Sequence, residues 1–423
     1  MADVNNNSNI GNFIIVKVAN DPVINGNNLL EAYRNAKNTK PNNQVLDENN
    51  RLSIIIPPGN YDLGTQSLVL DTNFIDIIGS TTDRNNHYIY SNVFLQSRGV
   101  IKQTINNVKI KNLRVKNTNN TFVVGGLVTD PAVYLPASTT VGTNGTEIEN
   151  VFFECIEGNS YSTAITAPTS YFQYDGKYTK VTTGSRSFDY ISNHAILTDC
   201  DSIGNYSYGS STYGIDGILI RCKGQNYSFG YGSHGACFGT LRDCIGYDYS
   251  FLTNGSFYGN LTNCIAYGSH SFCSADSNAV GDLEYGGLLS NCEGHGQYNF
   301  CANTNANAND HRNAGWRMDC KSYGGYSFSY NFITDEAQFI DCSVSPGSDF
   351  CFGARGAFFT AKSISGTFVN CTAMGASCFG FLNLIFATFI NCSALINSFI
   401  ANTRSDNKGI YINCSAGGSS FDV

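Results

Sequence analysis

The feature that most constrains this chain is a cysteine that returns at near-constant spacing through its second half. The series runs Cys200, Cys222, Cys244, Cys264, Cys292, Cys320, Cys342, Cys371, Cys392 and Cys414, in steps of 22, 22, 20, 28, 28, 22, 29, 21 and 22 residues. Self-similarity at a period of roughly 20–50 residues marks stacked repeats, each of which buries surface only against its neighbours. The three long steps read as the same unit carrying a short insertion.

The neighbours of each cysteine are equally regular. Asp199, Asp243, Asn263, Asn291, Asp319, Asp341, Asn370, Asn391 and Asn413 directly precede it, and Arg221 is the exception. Three residues before it stand Leu197, Leu219, Leu241, Leu261, Leu289, Phe339, Phe368, Phe389 and Tyr411, with Arg317 departing. Two residues after it comes a small residue, from Ser202 and Gly224 to Ala394 and Ala416. An aromatic follows at Phe229, Phe251, Phe272, Phe300, Phe328, Phe350, Phe379 and Phe399.

This pattern spells one coil of a β-solenoid. A strand carries the apolar residue inward. Asn or Asp then makes a bend, because these residues tolerate left-handed backbone. The period of two places the cysteine and the small residue after it on the inward face of the next strand. A further strand is expected to bring in the aromatic. The fold class expected is all-β: a single-stranded right-handed parallel β-helix of about fourteen coils of about 22 residues. Residues 1–50 are read as an N-terminal segment with a short capping helix, and residues 51–423 as the helix of coils. The capping helix is expected over Leu29–Lys37 with Asn27 or Asn28 as its N-cap. Strands are expected at Leu52–Ile56, Phe74–Ile78, Asn92–Leu95, Val108–Val115 and Ile148–Cys155, and the 45 residues from Cys155 to Cys200 are read either as two coils or as one coil with an excursion at Tyr171–Ser185.

Composition excludes several functions. Charged residues are only 14% of the chain, the net charge is −8, and there is no basic stripe, so nucleic acid is not an expected partner. No run of 18 apolar residues appears, so no membrane span is expected. The start, MADVNNNSNIGNF, lacks a basic region followed by an apolar one, so no signal peptide is read. The expected location is a virion or a cytoplasmic assembly in a reducing environment. The sixteen cysteines follow the structural period and not the irregular spacing of a disulfide scaffold. They also lack the paired C-x-x-C spacing of zinc sites, and Cys371 and Cys378 are the nearest short pair. They are therefore read as buried thiols acting as small hydrophobes, and no metal and no cofactor is expected.

The segment LSIIIPPGNYDL (Leu52–Leu63), with the helix before it and DTNFIDIIGS after it, resembles the opening of pectate-lyase-like right-handed β-helix proteins. The Asn-Cys-x-Ala coils are similar to the stacked strands of that superfamily. The resemblance spans nearly the whole chain and implies fold, not function. The superfamily holds pectin-degrading enzymes, epimerases, phage tailspikes and structural solenoids. This Asn-rich, Cys-laddered chain most resembles its virus-encoded structural members.

Candidate chemistry is sparse. Gly294-His295-Gly296 resembles the Gly-His-Gly of polygalacturonases, but the paired Asp motifs and the Arg-Ile-Lys of those enzymes are missing. His295 is expected on the outer face of a strand. The insertions at Ser274–Tyr285, Asn303–Gly315 and Gly353–Gly366 carry Asp276, Asp282, Glu284, Asp310, His311, Arg312 and Arg355, with Asp335 and Glu336 between them. The resemblance implies that an enzyme of this superfamily would place its site on such loops, with a Lys or Arg base and carboxylate-held Ca²⁺ in lyases. The catalytic candidates are thus Asp310, His311, Arg312, Asp282, Glu284 and His295. His234 and His270, each in Gly-Ser-His, are read as surface or turn residues. The tyrosines before the Phe series can face a sugar or a partner subunit. Asn205, Asn226, Asn254, Asn260, Asn370, Asn391 and Asn413 stand in Asn-x-Ser/Thr sequences and are read as structural.

Two functions follow as expectations. The first is a non-enzymatic structural or receptor- and glycan-binding solenoid that self-assembles, as a trimer or end to end through an uncovered C-terminal coil, in a virion or fibre. The alternative is a polysaccharide lyase or glycosidase acting on the insertion-loop face.

Overall fold

Each coil is built from short strands that alternate buried and exposed residues and pair in parallel with the coils before and after. In the computed structural model of the chain the described residues are 11–92, 99–118, 133–134, 146–154, 165–166, 176–183, 188, 195–204, 207–209, 214–230, 236–251, 256–272, 284–300, 312–328, 337–346, 352, 363–376, 378–379, 384–396, 398–399 and 407–418. The chain divides into two units, residues 1–205 and 206–423. Both are right-handed parallel β-helix.

In the first unit, the strands Phe13–Ile15, Leu52–Ile56, Ile75–Gly79, Lys109–Asn117, Glu147–Glu154, Lys177–Thr179 and Ile196–Thr198 follow one another as parallel neighbours. Ile54, Ile77, Ile110, Ile148, Tyr178 and Leu197 lie in one inward register and are all buried. The expected strand pieces are found within one or two residues, except that residues 93–95 lie outside the described set. Lys177–Thr179 pairs with Glu147–Glu154 on one side and Ile196–Thr198 on the other. The stretch from Cys155 to Cys200 therefore holds two coils, the first of the two readings, and the alternative of an excursion at Tyr171–Ser185 is set aside. Residues 171–175 and 184–185 of that stretch are outside the described set.

The capping helix is longer than expected and runs Pro22–Lys37. Asp21, not Asn27 or Asn28, is its N-cap: its carboxylate accepts from the Val23 amide at 2.8 Å, and Pro22 fills the first helical position. Leu29, Leu30, Ala32, Tyr33 and Ala36 form the buried face. Gly26 lets the helix approach the Gly59–Asp62 strand, since a Cβ there would lie 1.9 Å from the Asp62 carbonyl oxygen. The Tyr33 hydroxyl accepts from the amides of Asp71 (2.8 Å) and Thr72 (3.2 Å), which fastens the helix to the following coil.

In the second unit, Leu219, Leu241, Leu261, Leu289, Arg317, Phe339, Phe368, Phe389 and Tyr411 share one inward register. Arg317 is fully buried in this column, and its guanidinium donates to the carbonyls of Gly287 (3.3 Å) and Trp316 (3.2 Å). At the bend, Asp243, Asn263, Asn291, Asp319, Asp341, Asn370, Asn391 and Asn413 all have φ between 50° and 57°. The Asn side chains among them donate from one coil to the one before, as from Asn263 to Asp243 and from Asn291 to Asn263, both at 2.9 Å. Each cysteine thiol donates to the carbonyl two residues before it, and most also reach a carbonyl on the preceding coil. The thiols from Cys200 to Cys392 are fully buried, and burial holds Cys264, Cys292 and Cys342 well above the ordinary thiol range.

The aromatic series differs from the expected strand. Its rings stand at a second bend, where Phe229, Phe251, Phe272, Phe300, Phe328, Phe379 and Phe399 have φ between 52° and 59°. The rung between Phe328 and Phe379 is Phe352, not Phe350: it stacks on both, at 4.7 and 4.6 Å. Each ring lies over the small residue of its own coil. A Cβ on Gly224 would meet the Phe229 ring at 2.7 Å, and one on Gly246 would meet Phe251 at the same distance.

Candidate functional site

The candidate residues from the sequence are dispersed. Asp282, Asp310 and His311 lie outside the described residues, as do Asp276, Asp335, Glu336 and Arg355. Glu284 and Arg312 occupy partnered positions on neighbouring coils of a third, short sheet. Its strands are Ala236–Cys237, Ser256–Phe257, Glu284–Tyr285 and Arg312–Asn313. His295 stands on a different sheet, at an outward position of the strand Glu293–His295.

The third sheet carries an aromatic shelf that the sequence reading missed. Phe238 and Tyr258 follow its first two strands. Their rings stack at 5.3 Å and 12°. They are 61% and 41% exposed, whereas Cys237 and Phe257, one residue earlier, are fully buried. The flanking pairs Phe257↔Tyr285 and Asn260↔Leu288 make Gly286 the next rung after Tyr258. A Cβ on Gly286 would stand 3.2 Å from Cδ1 of Tyr258. A sequence signal for the shelf does exist. Cys237-Phe238-Gly239, Phe257-Tyr258-Gly259 and Tyr285-Gly286-Gly287 each immediately precede an inward-leucine strand. Gly239 and Gly259 are required because their Cβ atoms would meet the preceding coil's carbonyl oxygen at 2.5 and 2.2 Å.

Two rows of rings run along the outside of the second unit. Tyr247, Tyr267, His295 and Tyr323 stack at 5.6, 5.0 and 4.5 Å. Tyr227, Tyr249, His270, Tyr298 and Tyr326 stack at 4.9, 5.1, 4.8 and 4.9 Å. His270, read as a surface or turn residue, is thus a rung of the second row. Beside the first row, Glu293 sits 3.7 Å from the His295 imidazole and 3.9 Å from the Lys321 ammonium.

The first unit presents charges instead. Lys109–Glu147 (3.0 Å) and Lys111–Glu149 (2.7 Å) bridge adjacent coils, and Glu154 bonds Arg114 and lies 3.5 Å from Lys116. Arg114 also lies over the Tyr88 ring at 4.9 Å. Burial alone would raise the Glu147 carboxyl. The hydrogen bond and charge of Lys109, with Lys111 and Lys177, outweigh it and hold the group below the usual carboxylate range. Each carboxylate already has its cation, so this face is a set of coil-to-coil fasteners.

Among the described residues no group of three or more His, Cys, Asp or Glu is placed to hold a metal ion. No helix among them is long and apolar enough to cross a membrane.

A scan against protein-family models finds no match, and neither does a search of the curated proteins. Solved structures do align with the chain. A pectin methyl esterase of the rice weevil covers 64% of this chain and 81% of its own, at 12% identity and a TM-score of 0.26. The catalytic unit of a thermostable α-1,3-glucanase from Streptomyces thermodiastaticus covers 94% and 67%, at 12% identity and a TM-score of 0.26. A protein of Geobacillus virus E2 covers 91% of this chain and 62% of its own, at 10% identity and a TM-score of 0.25. The likeness is one of fold.

Proposed function

We propose that this chain is a non-enzymatic, glycan-binding β-solenoid of the pectate-lyase-like kind, with its binding face on the outside of the second unit. One observation carries the reading: outward aromatic and imidazole rings recur coil after coil there, on a surface otherwise rich in Asn, Ser, Thr and Gly. Such rows present one tyrosine edge per coil, about every 4.8 Å. A polymer with a short repeat meets the same chemistry at each step. Tyr and Trp are suited to this role because an apolar body ends in a polar tip.

The test is binding of the intact chain to a panel of neutral and acidic polysaccharides by affinity electrophoresis. Retardation by at least one polysaccharide is expected, with no new reducing ends and no unsaturated products. Failure to bind any member would remove the reading.

The assembly part of the proposal rests on outward apolar positions of the second unit. Met374, Leu395, Ile410 and Ile412 are each close to half exposed, and clustered exposed apolar residues mark association surfaces. Sedimentation should show a concentration-dependent oligomer, and a monomer at high concentration would count against it.

A second reading has one observation in its favour. Glu293, His295 and Lys321 place a carboxylate, an imidazole and an ammonium together beside Tyr267 and Tyr323. That set contains the groups a polysaccharide lyase or glycosidase uses for proton transfer. Cleavage lost in Glu293→Gln and His295→Ala, or in Asp310→Ala and His311→Ala of the insertion loops, would replace the binding reading with this one.

A further inference from the structure

The ring rows of the second unit offer a ligand edges and not faces. Tyr267 lies between Tyr247 at 5.6 Å and His295 at 5.0 Å, so a ring stands against each of its faces. A sugar stacks on the flat of an aromatic ring, because the C–H groups on one side of a pyranose form an apolar patch. Stacking of that kind needs a ring outside the rows. The chain holds one tryptophan, Trp316.

Trp316 opens the strand Trp316–Met318, whose alternation turns Arg317 inward and Trp316 and Met318 outward. Trp316 is 49% exposed. On this face its partners in register are Leu288 on the coil before and Gln338 on the coil after, each about 4.8 Å away along the stack. Both are half-buried, and both are shorter than an indole, which stands above them. Among the described residues no aromatic ring stacks on Trp316. Its column otherwise runs through Asn260, Leu288, Gln338, Thr367 and Thr388. Ser290 and Ile340 flank Met318 on the same face. The indole is therefore a single flat apolar surface among short side chains, several of which carry a hydroxyl or an amide.

We propose that Trp316 is the stacking platform for one pyranose ring of a neutral glycan, with the Gln338 amide and the Ser290 hydroxyl beside it for the sugar's hydroxyls. The proposal rests on the glycan-binding reading above and names the contact residue and the sugar class. Charge selects the class. From Asn260 to Ile412 neither outward column of this face carries a charged side chain. The bend that follows the face holds the exposed carboxylates of Asp319 and Asp341, which would repel a uronate. The cations that border the face have carboxylates of their own: Arg242 lies 3.5 Å from Asp243, and Lys321 lies 3.9 Å from Glu293. A second copy of the chain suits the indole less well. One indole falls far short of the roughly 800 Å² that each side of a stable protein interface buries. Gln338, Thr367 and Thr388 also separate it from Ile410, where the column becomes apolar and exposed again.

Because the chain has one tryptophan, its native fluorescence reports on this position alone. The intact chain is titrated with neutral hexamers (gluco-, xylo-, manno- and N-acetylglucosamine) and with uronate hexamers, and calorimetry gives the affinities. Wild type is compared with Trp316→Ala, with Trp316→Phe, which keeps a flat ring, and with Phe386→Ala, an exposed ring on another sheet. A saturable change in tryptophan emission is expected with at least one neutral hexamer. Its affinity should fall about tenfold in Trp316→Ala, about threefold in Trp316→Phe and less than about twofold in Phe386→Ala. The fluorescence titration needs no variant, so the proposal stays testable if Trp316→Ala does not fold. A hexamer that binds without changing the emission, or as tightly to Trp316→Ala, would overturn the platform and leave glycan binding intact. Binding of uronates alone would overturn the sugar class. Loss of an oligomer in Trp316→Ala with glycan affinity unchanged would assign the indole to an interface between copies instead. No binding of either set would remove both the platform and the function it rests on.

Discussion

At the scale of the residue, the fold turns on positions held in the left-handed region. Such backbone costs about 1–2 kcal/mol for most side chains, and less for Asn and Asp. At Asn263 the side chain also joins the ladder, donating to Asp243 and accepting from Asn291 at 2.9 Å each. Asn263→Gly loses only the ladder bonds, whereas Asn263→Ala loses them and adds backbone strain. Chemical denaturation should show Asn263→Ala destabilised by about 2 kcal/mol and Asn263→Gly by clearly less. The reverse order would mean that the bend is not what fixes the choice of Asn. The bend was legible in the sequence because Asn and Asp are the usual occupants of such backbone. The second bend was not, because nothing in a phenylalanine announces positive φ. There the stack of rings from Phe229 to Phe399 offsets the strain, and only the stack distinguishes Phe352 from Phe350.

The thiols make a second prediction at this scale. Burial puts the ladder thiols out of reach of a reagent in solvent, and a cysteine reacts only where it is accessible. Cys200 through Cys392 of the ladder are fully buried, whereas Cys414 is partly exposed. Alkylation of the native protein followed by peptide mapping should label Cys414 before any other ladder cysteine. Faster labelling of Cys292 or Cys320 would contradict the inward register.

At the scale of the element, the capping helix shows packing overriding propensity. Gly26 lies inside a helix, where Ala would ordinarily gain about 1 kcal/mol. Here a Cβ would fall 1.9 Å from the Asp62 carbonyl oxygen, a backbone atom that cannot step aside. Gly26→Ala should therefore lower the melting temperature; a rise would show that the helix can shift away from the coil. The helix should also respond to alkaline pH. Burial pushes the Tyr33 hydroxyl up from 10.0 to about 12. A folded pKa above the unfolded one gives stability that is whole below pH 10 and lost as pH rises toward 12. Hydrogen exchange should show the amides of Pro22–Lys37 losing protection across that window, and a change confined to lower pH would point to another group. The start of this helix was misjudged from sequence. Asp21-Pro22 is a cap and first turn, but Gly26 and the two asparagines after it made the first turns look like loop.

At the scale of the whole molecule, the chain is two units of one repeat written with different side chains. The first unit fastens its coils with ion pairs such as Lys111–Glu149, and the second with asparagine bonds, thiols and stacked rings. In a repeat protein, stability is close to a sum of terms between neighbours. A break in the ring stack should therefore act locally and strongly. Phe300 stacks between Phe272 and Phe328 at 4.8 and 4.6 Å. Phe300→Ala should cost about 3–5 kcal/mol, with exchange protection lost first in the strands Glu293–His295 and Lys321–Ser322. Uniform loss over the second unit would show a more cooperative fold than nearest-neighbour coupling predicts.

The sequence by itself determined the coil: its period, its inward cysteine and leucine columns, its Asn bend and its parallel pairing. These follow from local chemistry repeated at a fixed distance, and repetition makes local chemistry readable. The tertiary structure decided which rings face which. Whether an aromatic is a covered inner rung, as Tyr267 is, depends on the residue one coil away. That neighbour lies 20 to 28 residues distant in the chain, and its rung is fixed only once the parallel register is set. Phe238 and Tyr258 likewise become a pair of outward stacked rings only when their two coils are in place.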